Sequence, residues 1–159
     1  MKLFKLLSFL SFFIFIVGCG TTQQAADTIP PTQTSSAKKD LGQNYLVWNG
    51  SEFVEETLDE KPDFSEGSYH GYYTSLYKQI RYPVEAREKG VGGTVLIEVI
   101  VNEFGQMEAA RVKEGIGAGC DEESLKIVRL ISSRGFTSAI KDGIPVKVKF
   151  SIPVKFSLE

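Results

Sequence analysis

Residues 145–158 read P-V-K-V-K-F-S-I-P-V-K-F-S-L, and this alternation constrains the chain more than any other stretch. Val146, Val148, Phe150, Ile152, Val154, Phe156 and Leu158 take every even position, while Lys147, Lys149, Ser151, Lys155 and Ser157 take odd ones. Successive side chains of a strand point to opposite faces, so this is a half-buried strand with one face that must meet a core. Pro153 falls in the polar register and cannot donate to a ladder, which puts the strand at a sheet edge or makes it outrun its neighbours. An exposed edge is either blunted, for which the lysines and proline serve, or it takes up an extended peptide.

With 159 residues, 42% hydrophobic and 24% charged, the chain can bury one core and not two, so one domain with extensions is expected. The first twenty residues, M-K-L-F-K-L-L-S-F-L-S-F-F-I-F-I-V-G-C-G, carry two lysines, an apolar run over 6–17, and then a small residue and a cysteine. That run is short of the roughly 20 apolar residues of a membrane span, and its basic start fits an export signal over 1–18. Ile16-Val17-Gly18-Cys19 resembles the lipobox of bacterial lipoproteins, which implies a lipid on the Cys19 thiol and cleavage before it. Two acyl chains would anchor the protein stably. Gly20 rather than an aspartate follows, which by the same resemblance favours the outer membrane over the inner, with the domain facing the periplasm.

Cys120 is then the one remaining thiol, so an intramolecular disulfide is excluded. Removing Lys2 and Lys5 takes the 18 basic residues to 16 against 20 acidic ones, a balance that disfavours nucleic acid as a partner. Residues 19–44 are small and polar and cannot repay the entropy of folding, so they read as a flexible tether with a reach of roughly 25–30 Å.

Residues 45–67 contain an Asn49-Gly50 turn signal between short apolar runs, and seven acidic side chains (Glu52, Glu55, Glu56, Asp59, Glu60, Asp63 and Glu66) beside Lys61. They read as a short hairpin in a solvated acidic lead-in, because the carboxylates lack calcium-loop spacing. The folded domain is placed over 68–159. Tyr72, Tyr73, Leu76, Tyr77 and Ile80 recur at helical steps and read as a core-facing stripe; Tyr82-Pro83 stops that helix, and a second short helix closes at Gly90. Residues 93–102 are a β-branched strand with Val95, Ile97, Val99 and Val101 on one face; Gly105 serves its hairpin turn, and 107–114 return. A helix follows with Leu125, Val128, Leu130 and Ile131 as its apolar stripe and Asp121 at its start. Residues 134–143 read as an irregular crossing that ends at Asp142-Gly143.

Gly115-x-Gly117-x-Gly119 before a helix could hold an anion, but it lacks a nucleotide-loop lysine and runs straight into Asp121-Glu122-Glu123. Cys120 has no histidine or base beside it in sequence, and His70, the one histidine, stands outside any catalytic constellation. No metal or cofactor site and no enzyme chemistry is expected.

Over residues 70–158 the chain resembles the C-terminal domain of TonB-family energy transducers. The resemblance is carried by L-Y-K-Q-I-R-Y-P-V-E-A-R-E-K-G-V-G-G-T-V at 76–95, V-N-E-F-G-Q-M at 101–107, G-I-G-A-G-C-D-E-E-S-L at 115–125 and D-G-I-P-V-K-V-K-F-S-I-P-V-K-F at 142–156. Tyr82, Pro83, Ala86, Arg87, Gly90, Gly93, Gly105, Gly115, Gly119, Cys120, Asp121, Gly143 and Pro145 are its motif positions. It implies a βαββαβ α+β domain, a small antiparallel sheet with helices on one face. It also implies that a strand edge pairs with the TonB box, an extended peptide of outer-membrane transporters; carried over, that edge is Val146, Lys147, Val148, Lys149, Phe150, Ile152, Val154 and Phe156. Two departures stand out. A lipobox and a short tether replace the transmembrane helix and long Pro-rich spacer, and Phe136-Thr137-Ser138-Ala139 replaces the family's Trp-x-Pro step. A structural envelope protein that pairs with itself as a homodimer, or binds peptidoglycan, is the alternative.

Overall fold

β3 (Gly93–Val101) supplies the most regular pattern of the fold, with Val95, Ile97, Val99 and Val101 fully buried. The structure, a computed structural model, describes residues 42–158. The expected signal peptide, Cys19 and most of the expected tether lie outside these residues. The other elements are β1 (Gln43–Trp48), β2 (Phe53–Glu55), α1 (Ser68–Gln79), α2 (Val84–Lys89), β4 (Met107–Glu114), α3 (Cys120–Ser132), β5 (Ala139–Lys141), β6 (Ile144–Val146) and β7 (Val148–Phe156). A five-stranded antiparallel sheet runs in the order β2-β1-β7-β3-β4, and β5 and β6 form a separate two-stranded ribbon.

Helices cover one face of this α+β sheet. The inward residues of β3 and the even residues of β7, Val148 through Phe156, pack under Tyr72 and Leu76 of α1 and Ile127, Val128 and Ile131 of α3. No helix among the described residues is long and apolar enough to cross a membrane. On the opposite face charges form a ladder: Arg111 pairs with Glu98 at 2.7 Å, and Lys149 reaches the same carboxylate at 4.0 Å.

Several expectations change. The stretch 145–158 is not one strand: Pro145 pairs with Ile140 in the β5–β6 ribbon, Lys147 breaks the run, and β7 begins at Val148. Nor is β7 an edge strand. It pairs with β3 on one side from Gly93↔Phe156 to Val101↔Val148, and with β1 on the other at Gln43↔Ser151, Leu46↔Lys149 and Val47↔Val148. Alternation dictates which face is buried but not what satisfies the main chain, and here residues 43–48 supply the second partner. The strand does outrun β1, whose pairing stops at Ser151, and Pro153 lies beyond that point.

The acidic lead-in is tied to the domain. Phe64 is core, Thr137 and Asp63 exchange bonds of 2.7 and 2.9 Å, and Glu56 and Glu66 pair with Lys141 and Arg134, both at 3.0 Å. The expected crossing at 134–143 contains β5 and the Asp142-Gly143 turn, where both residues have positive φ. Gly105 is required at its own turn, since a Cβ there would lie 2.0 Å from the Phe136 carbonyl oxygen. In α3 the buried stripe is Cys120, Ser124, Ile127, Val128 and Ile131, while Leu130 faces outward at 54% exposure.

Candidate functional site

In an antiparallel ladder the main-chain groups of alternate residues point to opposite neighbours. The Trp48 N–H donates to the Lys147 carbonyl at 2.9 Å, so the odd positions of this stretch face β1. The even residues of β7 therefore spend their N–H and C=O groups on β3. Past Ser151 the odd groups belong to Pro153 and Lys155, and β1 does not reach them.

Two tyrosine hydroxyls meet them instead. Tyr73 donates to the Pro153 carbonyl at 3.3 Å, and the Lys155 N–H donates to the Tyr77 hydroxyl, also at 3.3 Å. Pro153 has no donor to leave unpaired, which is why a proline is tolerated in a strand flanked on both sides. Both tyrosines project from α1, where Tyr69, Tyr73 and Tyr77 follow one another at four-residue steps with ring centroids 4.8 and 6.0 Å apart. With Lys78, Pro153 and Lys155 they line an open groove of about 770 Å³. Burial, reinforced by the neighbouring tyrosines, pushes the Tyr73 hydroxyl above its ordinary range, so at neutral pH it is a donor and not an anion.

The expected aromatic stripe on α1 is thus divided. Tyr72 is core, its hydroxyl 3.2 Å from that of Ser132, whereas Tyr77 is 47% exposed. Tyr69, Tyr73, Tyr77 and Lys155 were not singled out as site residues by the pattern of the sequence. The available signal was the spacing of tyrosines 69, 73 and 77, one turn apart beside the core positions 72 and 76.

The β1 half of this edge is covered differently. Tyr45 stacks on Phe150 with centroids 5.0 Å apart, Val47 is buried, and on the outer face Lys149 lies 4.7 Å over the Phe53 ring. Asn44 has φ of 55°, and the register shifts between Gln43 and Leu46, so the ladder is interrupted by a bulge.

The remaining motif positions collect mainly at the end of the sheet where β7 finishes. The Tyr82 hydroxyl donates to the Val91 carbonyl at 2.7 Å, and its ring meets Phe156 edge-on at 5.5 Å. Ala86 is fully buried, Gly90 caps α2 in the left-handed region, Gly93 faces Ile116 and Gly119 faces Pro83. Asp121 does not cap α3: its carboxylate accepts from the Ile116 N–H at 2.8 Å and the Gly117 N–H at 3.2 Å. Gly115 leaves room for it, since a Cβ there would sit 2.2 Å from that carboxylate. The glycine-rich loop thus binds its own acid in place of an outside anion. Cys120 is buried, and burial together with the Asp121 and Glu122 carboxylates pushes its thiol up, away from nucleophile chemistry. His70 and Arg87 are exposed, Gly105 and Gly143 serve turns elsewhere, and Pro145 lies in β6 opposite Ile140. Among the described residues no group of His, Cys, Asp and Glu is placed to hold a metal ion.

A small antiparallel sheet with helices on one face and a partly open strand edge is the class of molecule these observations define. The family model for the Gram-negative bacterial TonB protein C-terminal matches residues 78–158, and the chain belongs to that family. It is 32% identical over 85 residues to Protein TonB of Vibrio cholerae serotype O1; the match covers 54% of this chain and 34% of that protein, so the chain spans about a third of its relative. The solution structure of Helicobacter pylori TonB-CTD superposes with a TM-score of 0.45 at 20% identity, covering 60% of this chain and 89% of that one.

Proposed function

We propose that this chain is a lipid-anchored, periplasm-facing module that takes an extended peptide alongside β7 as an added strand, in the service of TonB-dependent transport across the outer membrane. The reading is supported above all by the edge at Pro153 and Lys155. There the two main-chain groups that a neighbouring strand would satisfy are met by the side-chain hydroxyls of Tyr73 and Tyr77. A peptide strand offers the same donor and acceptor, and its side chains gain the tyrosine groove. Lys78 and Lys155 on the groove suit a partner with acidic side chains. No enzyme activity and no cofactor enter this reading.

The other sheet edge disfavours self-association by strand pairing. β4 has no outer strand partner among the described residues, but Arg129 donates to its Ala110 carbonyl at 2.9 Å, and Glu108, Arg111, Lys113 and Glu114 charge the strand. Titration of a TonB-box peptide into the full chain in detergent micelles, followed by calorimetry, tests the proposal. Saturable binding that Lys155→Pro abolishes is expected, because that change removes the outward N–H and leaves the β3 ladder intact. Absence of heat at millimolar peptide would overturn it. The anchor is tested separately. Palmitate labelling should mark the wild-type chain and leave Cys19→Ser unlabelled; an unlabelled wild-type chain contradicts the lipid.

A further inference from the structure

β1 occupies the same side of β7 to which the proposed peptide adds, its pairing ending at Ser151, two residues before Pro153 of the tyrosine groove. From this, and resting on the peptide-docking reading above, we infer that the β1–β2 hairpin is a resident, displaceable strand whose sequence is a template for the partner that replaces it. The partner class this defines is an extended peptide bearing an aromatic residue and, two positions on, a β-branched one.

The template is read from what β7 receives. On the core face of β1, Tyr45 stacks on Phe150 and Val47 fills a buried position opposite Val148. Three residues before Tyr45, Gly42 passes so close to β7 that a Cβ would lie 2.3 Å from the Phe150 ring. A competing strand must therefore be slim at that point, aromatic three positions later and β-branched at the fifth. Leu46 and Trp48 alternate to the outer face, where Trp48 meets Phe53 of its own hairpin.

Displacement is feasible because the hairpin has few ties. Its ladder to β7 has three register pairs broken by the bulge at Asn44, against nine successive pairs between β3 and β7. β2 has no buried residue. Residues 56–58 carry no regular structure, and immediately after them Asp59 and Glu60 are bonded to Ile140 at 2.8 and 3.2 Å. The hairpin can swing out at that hinge while the rest of the lead-in stays docked. Main-chain hydrogen bonds exchange one for one when another strand replaces β1, so the outcome turns on the side chains at two core-facing positions.

The test uses the full chain in detergent micelles and a labelled peptide of residues 42–50, G-Q-N-Y-L-V-W-N-G, followed by fluorescence anisotropy. Three proteins are compared: wild type, Leu46→Pro, which removes an N–H from the β1–β7 ladder, and Leu46→Cys/Lys149→Cys, which cross-links opposed positions when oxidised. The expected order is Leu46→Pro at least tenfold tighter than wild type, no binding to the oxidised cross-link, and recovery on reduction. A peptide with serine in place of Tyr45 and Val47 should bind at least tenfold more weakly. Equal affinity of wild type and oxidised cross-link, or of the two peptides, overturns the inference. Should Leu46→Pro prove unfolded by circular dichroism, the cross-linked protein decides alone. A TonB-box peptide run in parallel separates this from the docking reading. If that peptide binds all three proteins with one Kd, docking stands and the resident strand falls. If it binds none while the 42–50 peptide behaves as expected, the resident strand stands and the docking reading falls.

Discussion

The two sides of β7 differ more than any other pair of regions in the molecule. Toward β3 it makes nine successive pairs, and four fully buried aliphatic residues of β3 stand beside its own core row. Toward β1 the ladder is short, bulged and backed by one buried residue, Val47, before side-chain hydroxyls take over at Pro153 and Lys155. One strand thus serves as the spine of the core on one side and as an exchangeable surface on the other. What separates the two roles is burial, since a hydrogen-bonded ladder alone contributes little net stability over water.

Substitutions on the two sides should therefore act on different scales. Ile97→Ala, on the β3 side, should destabilise the whole domain by about 2–5 kcal/mol and shift a single cooperative denaturant transition; a loss below about 1 kcal/mol would mean that β3 is not the spine. Val47→Ala, on the β1 side, removes two methyl groups and should cost about 1–2 kcal/mol. Its signature in amide exchange should be faster exchange in residues 43–55 with no change in β3. The smallest effect is expected of Tyr77→Phe, which deletes the acceptor of the Lys155 N–H at a half-exposed position and should cost no more than about 1 kcal/mol. The Lys155 amide should nonetheless exchange faster in that variant, and an unchanged rate would contradict the role given to the hydroxyl.

The sequence spoke clearly wherever one physical rule governed. Period-two alternation located β3, β4 and the buried face of β7, Asn49-Gly50 located the first hairpin, and Pro83 with Gly90 bounded α2. It was silent where two rules compete. The edge or centre position of β7 depends on whether another segment supplies a partner ladder, and Tyr45-Leu46-Val47-Trp48 is too short a run to announce which strand it will join. The phase of α3 was obscured because its buried stripe includes Cys120 and Ser124; the Ser124 hydroxyl is satisfied by the Cys120 carbonyl at 2.7 Å and so tolerates burial. Asp121 carries the residue type of a helix cap yet bonds the loop before it, which only the fold of Gly115 reveals. On α1, tyrosines at adjacent turns look alike in sequence, and packing alone assigns Tyr72 to the core and Tyr73 and Tyr77 to the groove.

The most direct test of this division is native-state amide exchange on the full chain, residue by residue along β7 and β1. The Trp48 amide, and the amides of Lys149 and Ser151 that face β1, should exchange by local opening at a free energy several kcal/mol below that of the Ile152 and Val154 amides facing β3, which should exchange only with global unfolding. A single common opening free energy for both sets would show that the hairpin and the core are one unit, and would contradict the exchangeable side of β7.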